Sequence, residues 1–350
     1  MTQTTAAADL LNVDPTRVVR EMLVGYQITQ ILYATVRLGL PELMDDQPAT
    51  ADHLAERTGV QPATLALILD VLTHYGIARK ADSSRFALTE IGETLLPNRP
   101  ASVRYTVLAT GKERYRSWGR FLETALTGRA AFEYMEGAPL HDFYAAHPAA
   151  AAHFNQAMDA LTAHTLGAVL DSYDFAQHDV IVEVGSGLGT FMKAVLTRYP
   201  QLKGIAIDLP HVAAEARRSL PVDIQARLNY VGGDARITVP TGGDLYVIKT
   251  VLCDFPDDDA LAILRACRTA IQPDGTLLIY DKVRQETSGG VSGRISMSAL
   301  NLLVMTGGRE RTPMELAEIL SGAGFDLVEI KPTGGLEGEI HRVIARPCTR

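Results

Sequence analysis

The residues best suited by type and spacing to do chemistry begin in the stretch DVIVEVGSGLGT, from Asp179 to Thr190. Val180, Ile181, Val182 and Val184 form a short β-branched run, the pattern of a strand buried on both faces. The run stops at Gly185, Gly187 and Gly189. Glycines at such a point let the backbone turn tightly and let a ligand come close to it, and a helix follows. This is the architecture of a nucleotide site, although a glycine turn alone is a weak signal. The spacing is G-x-G-x-G, and Glu183 stands two residues before the first glycine. Asp208 ends a second apolar strand, GIAID, where a carboxylate can accept hydrogen bonds from ribose hydroxyls. Asp234, at the end of YVGGDA, is placed to accept from an adenine amino group, and Lys249 ends a fourth strand, DLYVIK.

The segments VEVGSGLGTF, IDLPHV, GGDA, DLYVIKTVLCDFPDDDA and TGGRERT occur in that order. Together they resemble class I S-adenosylmethionine-dependent methyltransferases, in particular the two-domain small-molecule O-methyltransferases of plant phenolic and bacterial polyketide pathways. The resemblance covers nearly the whole chain. It implies S-adenosyl-L-methionine as cofactor, S-adenosyl-L-homocysteine as product and a small aromatic substrate. It also implies a cofactor groove of Glu183, Gly185, Gly187, Asp208, Leu209, Asp234, Ala235 and Lys249, with Thr162 nearby. Phe255 stands where the family usually stacks a tryptophan on adenine; both residues offer an aromatic face. In the FNQAM helix Phe154 and Met158 would face the substrate, joined by Asp254, Asn301 and Met305. The other reading of Phe154 and Met158 is ordinary core.

The resemblance also exposes a departure. The cofactor supplies the hard chemistry of methyl transfer, but a phenol of pKa near 10 is only about one part in a thousand ionised at neutral pH. In the family a histidine handles that proton; its position, in LCDF, is occupied here by Cys253. The acidic residues that orient the family's histidine persist as Asp281, in IYDKV, and Glu310, in TGGRERT. Cys253 has three readings. It could act as a thiolate base, although a free thiol has a pKa near 8.5 and burial beside Asp254 would raise it. It could be a spectator, with transfer relying on orientation, whose roughly 7 to 11 kcal/mol can exceed the 10² to 10⁴-fold of a base. Or the site could serve a non-methylating reaction, such as hydroxylation, decarboxylation or cyclisation, that retains the cofactor. Carbon methylation of an electron-rich ring is a further alternative, because a ring carbon attacks before it loses its proton. His164 and His211 are lone histidines near Thr162 and Leu209, and such residues are more often surface or core than base. No cluster has metal-ligand spacing, so no metal is expected.

The elements that must position these residues fill a chain of 350 residues with 47% apolar composition, enough for one large or two ordinary domains. The fold class read from the pattern is α/β: a doubly wound, Rossmann-like methyltransferase sheet with an N-terminal helical winged-helix dimerisation domain. The expected divisions are 1–105 for that domain, 106–172 for a helical linker covering the site, and 173–350 for the cofactor-binding domain. Residues 1 to about 13 read as disordered. Beyond them Val18, Val19, Met22, Leu23 and Tyr26 make a helix too apolar to be left facing water, so a homodimer is expected. Residues 50–95 read as helix, turn, helix and hairpin, which also fits a DNA-binding regulator. The would-be recognition helix, from Gln61 to Ile77, has no Lys or Arg, and the net charge of −8 argues against a nucleic-acid partner. The sheet domain is read as five βα steps from Asp179 to Ile279, helices from about Ser292 and from Thr312, and final strands FDLVEIK and IHRVIAR. Cys253, Cys267 and Cys348 are too scattered for disulfides, and Cys267 sits at helical spacing with Leu264 and Ile271, as core. No run reaches the roughly 18 apolar residues of a membrane span, and the N-terminus lacks a signal-peptide pattern. A cytoplasmic protein with no membrane partner is the expectation.

Overall fold

The structure, a computed structural model, describes residues 14–97, 99, 102–284, 297–334 and 340–348. The readings for residues 1–13 and for the start of the helix near Ser292 lie outside them. The chain forms two compact units, Met1–Glu113 and Arg114–Arg350.

In the first unit α1 (Pro15–Leu23) starts at Asp14, whose side chain accepts from the Thr16 N–H at 3.0 Å. No residue of α1 is buried. It is followed by α2 (Gly25–Arg37), α3 (Leu40–Asp45), α4 (Ala51–Thr58) and α5 (Pro62–His74). The short strands β1 (Ala49–Thr50), β2 (Ala78–Lys80) and β3 (Arg85–Leu88) pair antiparallel in the order β1-β3-β2. Leu40, Leu54, Leu65 and Leu69 are fully buried in the core that these elements share. Two helices followed by a hairpin reproduce the winged-helix outline.

The second unit leads with helices, among them α6 (Leu140–Ala146) and the 24-residue α7 (Pro148–Asp171). A seven-stranded sheet follows: β4 (Val180–Val184), β5 (Lys203–Asp208), β6 (Leu228–Gly232), β7 (Leu245–Lys249), β8 (Thr276–Lys282), β9 (Phe325–Pro332) and β10 (Ile340–Pro347). Its order is β6-β5-β4-β7-β8-β10-β9, with the first five parallel and β10 antiparallel to both neighbours. The helices α8 (Thr190–Arg198), α9 (Pro210–Arg218), α10 (Asp257–Ala270), α11 (Met297–Thr306) and α12 (Pro313–Gly322) complete the unit. Strand β4 shows why the run reads as buried on both faces. Val182 and Val184 pack in the core with Ile263, Leu264, Leu316 and Phe325, whereas Ile181 packs oppositely with Phe191, Met192 and Val195. Cys267 is fully buried in the first of these cores.

One expected crossover is not helical: β6 and β7 are joined by a loop with a turn at residues 235–237. The segment RITVPTGG between them offers four β-branched residues, a proline and two glycines, poor helix material. Because β4 lies between β5 and β7, the chain leaves it in one direction and returns on its other side. The crevice at the carboxyl ends of these strands is where such sheets bind ligands.

Candidate active site

The glycine turn closes β4 against β5. Gly185 and Ser186 both donate backbone N–H bonds to the Ile207 carbonyl, at 2.9 and 3.2 Å. Gly185 has φ +72, and a Cβ there would lie 2.5 Å from Val251 Cγ2. Gly187 has φ +56, and a Cβ there would meet nothing within 4 Å. The first glycine is therefore demanded by packing, and the second leaves the open side of the turn approachable.

Asp208, at the tip of β5, holds this turn: its carboxylate accepts from Gly187 N–H and from Leu209 N–H, each at 2.7 Å. The Tyr230 hydroxyl bonds the Gly187 carbonyl from the other side. Glu183 accepts from Ser186 Oγ at 2.5 Å, and Lys249 Nζ donates to Thr162 Oγ1 at 3.1 Å. Burial pushes Glu183 up to about 8 and Asp208 up to about 6, in each case against hydrogen bonds that favour the ionised form. Burial likewise lowers Lys249. A cationic ligand would reverse the carboxylate shifts, so this acidic cradle suits one.

Thr162 is one of a stripe on α7. Asn155 donates to Glu215 at 3.0 Å, and Asp159 accepts from the Thr190 hydroxyl at the start of α8. Positions 155, 159 and 162 follow the i, i+4, i+7 spacing of one helix face. Of the three only Thr162 was legible in the sequence, through the family resemblance; no motif marks Asn155 or Asp159, whose partners come from other elements.

Beyond β6, Asp234 is held by its neighbour Arg236, with Nη2 to Oδ2 at 2.8 Å. A carboxylate has about four acceptor sites, so Asp234 keeps capacity for another donor. Ala235 packs against the sheet core. The Phe255 ring has the Arg236 guanidinium 6.0 Å from its centroid and stacks with His141 of α6 at 5.2 Å. His141 Nε2 is buried without a hydrogen-bond partner among the described residues, and burial first, then the charge of Arg236, holds its pKa down to about 4. His141 was not visible in the sequence, where it is one of nine histidines in no motif.

The turn Leu252–Asp254 carries the third group. Buried Arg311 donates to the Leu252 carbonyl at 2.8 Å and the Phe255 carbonyl at 2.9 Å, so it clamps both ends. Asp281 accepts from the Cys253 backbone N–H at 3.0 Å and from Lys282 N–H at 2.8 Å. A Cβ on Gly308 would lie 2.1 Å from the Cys253 carbonyl oxygen, so only glycine permits this approach. Cys253, Asp281 and Glu310 are all buried. Burial, then the negative fields of Asp281 and Asp254, then a thiol hydrogen bond to Asp281 and the field of Glu310, raise the thiol well above its ordinary pKa. Cys253 is therefore a neutral thiol at physiological pH. Asp254 is pushed up to about 7 by burial and by Asp281, with Arg114 opposing.

Helix α11 packs on this turn. Its Asn301 accepts from the Trp118 indole N–H at 3.2 Å, and its Met305 is buried in a cluster with Phe132, Phe143 and Tyr144. Phe154 of α7 joins the cluster and stacks on Tyr144 at 4.6 Å. Met158 is half-buried and outside it. His164 is exposed on α7, and His211 is half-buried near Glu215, so neither belongs to the cysteine group. Among the described residues no cluster could hold a metal ion, and no helix is long and apolar enough to cross a membrane.

A doubly wound sheet with a glycine turn and acidic strand tips, facing a turn of buried acids and an aromatic cluster, defines the class of S-adenosylmethionine-dependent methyltransferases. Residues 118–326 match the O-methyltransferase domain family, and residues 21–98 match the O-methyltransferase dimerisation domain. The chain is 33% identical over 314 residues to phenazine O-methyltransferase PhzM of Lysobacter antibioticus, covering 89% of this chain and 92% of that protein. The structure of the mitomycin 7-O-methyltransferase MmcR superposes with a TM-score of 0.88 at 33% identity, covering 99% of this chain and 100% of that one. NcsB1, an O-methyltransferase from neocarzinostatin biosynthesis seen with S-adenosylmethionine and 2-hydroxy-5-methyl naphthoic acid, has a TM-score of 0.80 at 25% identity, covering 91% and 96%. The chain belongs to the O-methyltransferase family, and its cofactor is S-adenosylmethionine. The open face at Gly187 and the acidic tips of β4 and β5 fit that cationic nucleoside.

Proposed function

We propose that the protein transfers a methyl group to a hydroxyl of an aromatic natural-product intermediate, chiefly by holding the acceptor in line and without a thiolate base. When bound, S-adenosylmethionine supplies a methyl activated on a sulfonium. Asp208 takes the ribose hydroxyls, Asp234, Ala235 and Phe255 the adenine, and Glu183, Gly185, Gly187, Leu209, Lys249 and Thr162 the rest of the cofactor. Phe154, Met158, Asn301 and Met305 form the acceptor's wall, with Asp254 at its polar end. Asp281 accepts the Cys253 N–H and so holds the turn, while Glu310 lies buried where its charge reaches the thiol.

The observation that carries this reading is the state of Cys253. It sits where the family resemblance places a base, yet burial and three carboxylates keep its proton on. A neutral thiol leaves room and takes no proton, so alignment must supply most of the acceleration. Near-attack alignment is worth roughly 7 to 11 kcal/mol, more than the 10² to 10⁴-fold of a general base.

The test is turnover of Cys253→Ala. It is expected to fall less than about tenfold, under roughly 1.4 kcal/mol, and Cys253→His should keep or improve activity because Asp281 and Glu310 remain to orient an imidazole. A loss of 10² or more in the alanine variant, with binding of both substrates intact, would show the thiol to be the base.

We further propose a homodimer formed through residues 1–105. Its support is the match to a dimerisation domain and the outward apolar face of Val19, Met22, Leu23 and Tyr26, each more than half exposed in the single chain.

A further inference from the structure

We propose that the carboxylate of Asp254 receives the acceptor's proton in place of the residue that Cys253 replaces. This rests on the reading of the site as one that methylates a hydroxyl.

Four acids or potential acids meet at this turn, and the structure gives them different work. Asp281 accepts two backbone N–H bonds, which occupy it in holding the turn. Glu310 and the Cys253 thiol are buried. Asp254 alone of the three carboxylic acids is half-buried, and its carboxylate accepts no hydrogen bond from any described residue. A carboxylate withdrawn from bulk water without a donor is costly, and a hydroxyl donor in the site would relieve that cost.

The backbone beneath it is rigid. Asp254 N–H donates to the Val251 carbonyl at 3.0 Å, Arg311 clamps the carbonyls on either side, and Gly308 lies so close that a Cβ would fall 2.9 Å from Asp254 Cα. A base needs such fixed placement before it needs the right pKa. The charged and titratable groups facing it are Asp281 from β8, which raises it, and Arg114, which lowers it and itself feels Tyr144. Cys253 is the neutral neighbour on the turn, with Glu310 behind it. Burial first, then these two charges, put Asp254 up to about 7, the range in which a base is both ionised and willing at neutral pH.

The step balances. The acceptor oxygen forms the new O–C bond with a lone pair as the C–S bond breaks and leaves its electron pair on sulfur. The O–H proton passes to Asp254, giving an aryl methyl ether, S-adenosylhomocysteine and a neutral carboxyl that returns its proton to solvent. Orientation still supplies the larger share of the acceleration.

The experiment compares wild type with Asp254→Asn and Asp254→Glu, after calorimetry with S-adenosylhomocysteine has shown that each variant still binds it. Wild-type kcat should rise along a limb near neutral pH. Asp254→Asn should lose that limb and fall 10² to 10⁴-fold with little change in KM, and Asp254→Glu should recover part of both. An infrared carbonyl band of a protonated carboxyl, titrating near neutral pH, should be present in wild type and missing from Asp254→Asn. An acidic nitrophenol that is already ionised should be methylated by wild type and Asp254→Asn at similar rates. An unchanged limb in Asp254→Asn, or an equal loss on the ionised and the un-ionised phenol, would overturn the assignment and leave Asp254 a positioning residue. Wild type failing to methylate either phenol would instead overturn hydroxyl methylation itself, and the assignment with it.

Discussion

At the scale of residues, burial decides the chemistry. Asp208 illustrates the consequence, because its carboxylate is shared between the turn N–H groups and the expected ribose hydroxyls. Asp208→Ala should weaken S-adenosylhomocysteine binding by about 1 to 3 kcal/mol, the cost of leaving buried polar partners unpaired. Unchanged affinity in calorimetry would place the ribose elsewhere. The pH dependence has a definite sign. Burial raises Asp208 to about 6, and a ligand that prefers the ionised form must expel its proton below that pH. Affinity should therefore weaken as pH falls through about 6, by up to about tenfold per unit, and this limb should vanish in Asp208→Asn. A flat profile would contradict it. Glu183, Asp208, Asp234 and Lys249 could be picked out from sequence because each lies at or just past the carboxyl end of a sheet strand, a position that apolar patterning marks. His141, Asp159 and Arg114 could not, because only tertiary packing brings a histidine of α6 onto Phe255, an aspartate of α7 onto Thr190 and Arg114 beside Asp254.

At the scale of elements, the turn carrying Cys253 is set from outside itself. Arg311 and Gly308, both in the segment before α12, clamp and contact a turn more than fifty residues earlier in the chain. Gly308→Ala would put a methyl 2.1 Å from the Cys253 carbonyl oxygen, and the turn must move. The expected result is a destabilisation of about 1 to 3 kcal/mol, the usual cost of overpacking, with turnover falling more than tenfold while S-adenosylhomocysteine affinity holds. Wild-type turnover in that variant would mean that the turn tolerates displacement. The strands were readable because β-branched runs ending in Gly or Asp have few alternatives. The order β6-β5-β4-β7-β8-β10-β9 was not, since pairing between distant strands leaves no local mark, and parallel strands that otherwise alternate with helices hide the helix-free loop between β6 and β7.

At the scale of the whole molecule, a net charge of −8 and a would-be recognition helix without Lys or Arg are poorly suited to DNA binding, one use of a winged-helix outline. The exposed residues of α1 and α2 give that outline a different use. Light scattering at micromolar concentration should return twice the 37.9 kDa chain mass, and Met22→Glu with Leu23→Glu should shift it toward one chain; a stable wild-type monomer would refute the homodimer. Two units, one to associate and one to carry the cradle and the acidic turn, leave methyl transfer as the activity on which everything above depends. Its most direct measurement is mass spectrometry of wild-type protein with S-adenosylmethionine and a panel of hydroxylated aromatic acceptors. The expected result is a gain of one methyl on oxygen, matched mole for mole by released S-adenosylhomocysteine. Acceptors that bind yet gain no methyl, or gain it on a ring carbon, would contradict it.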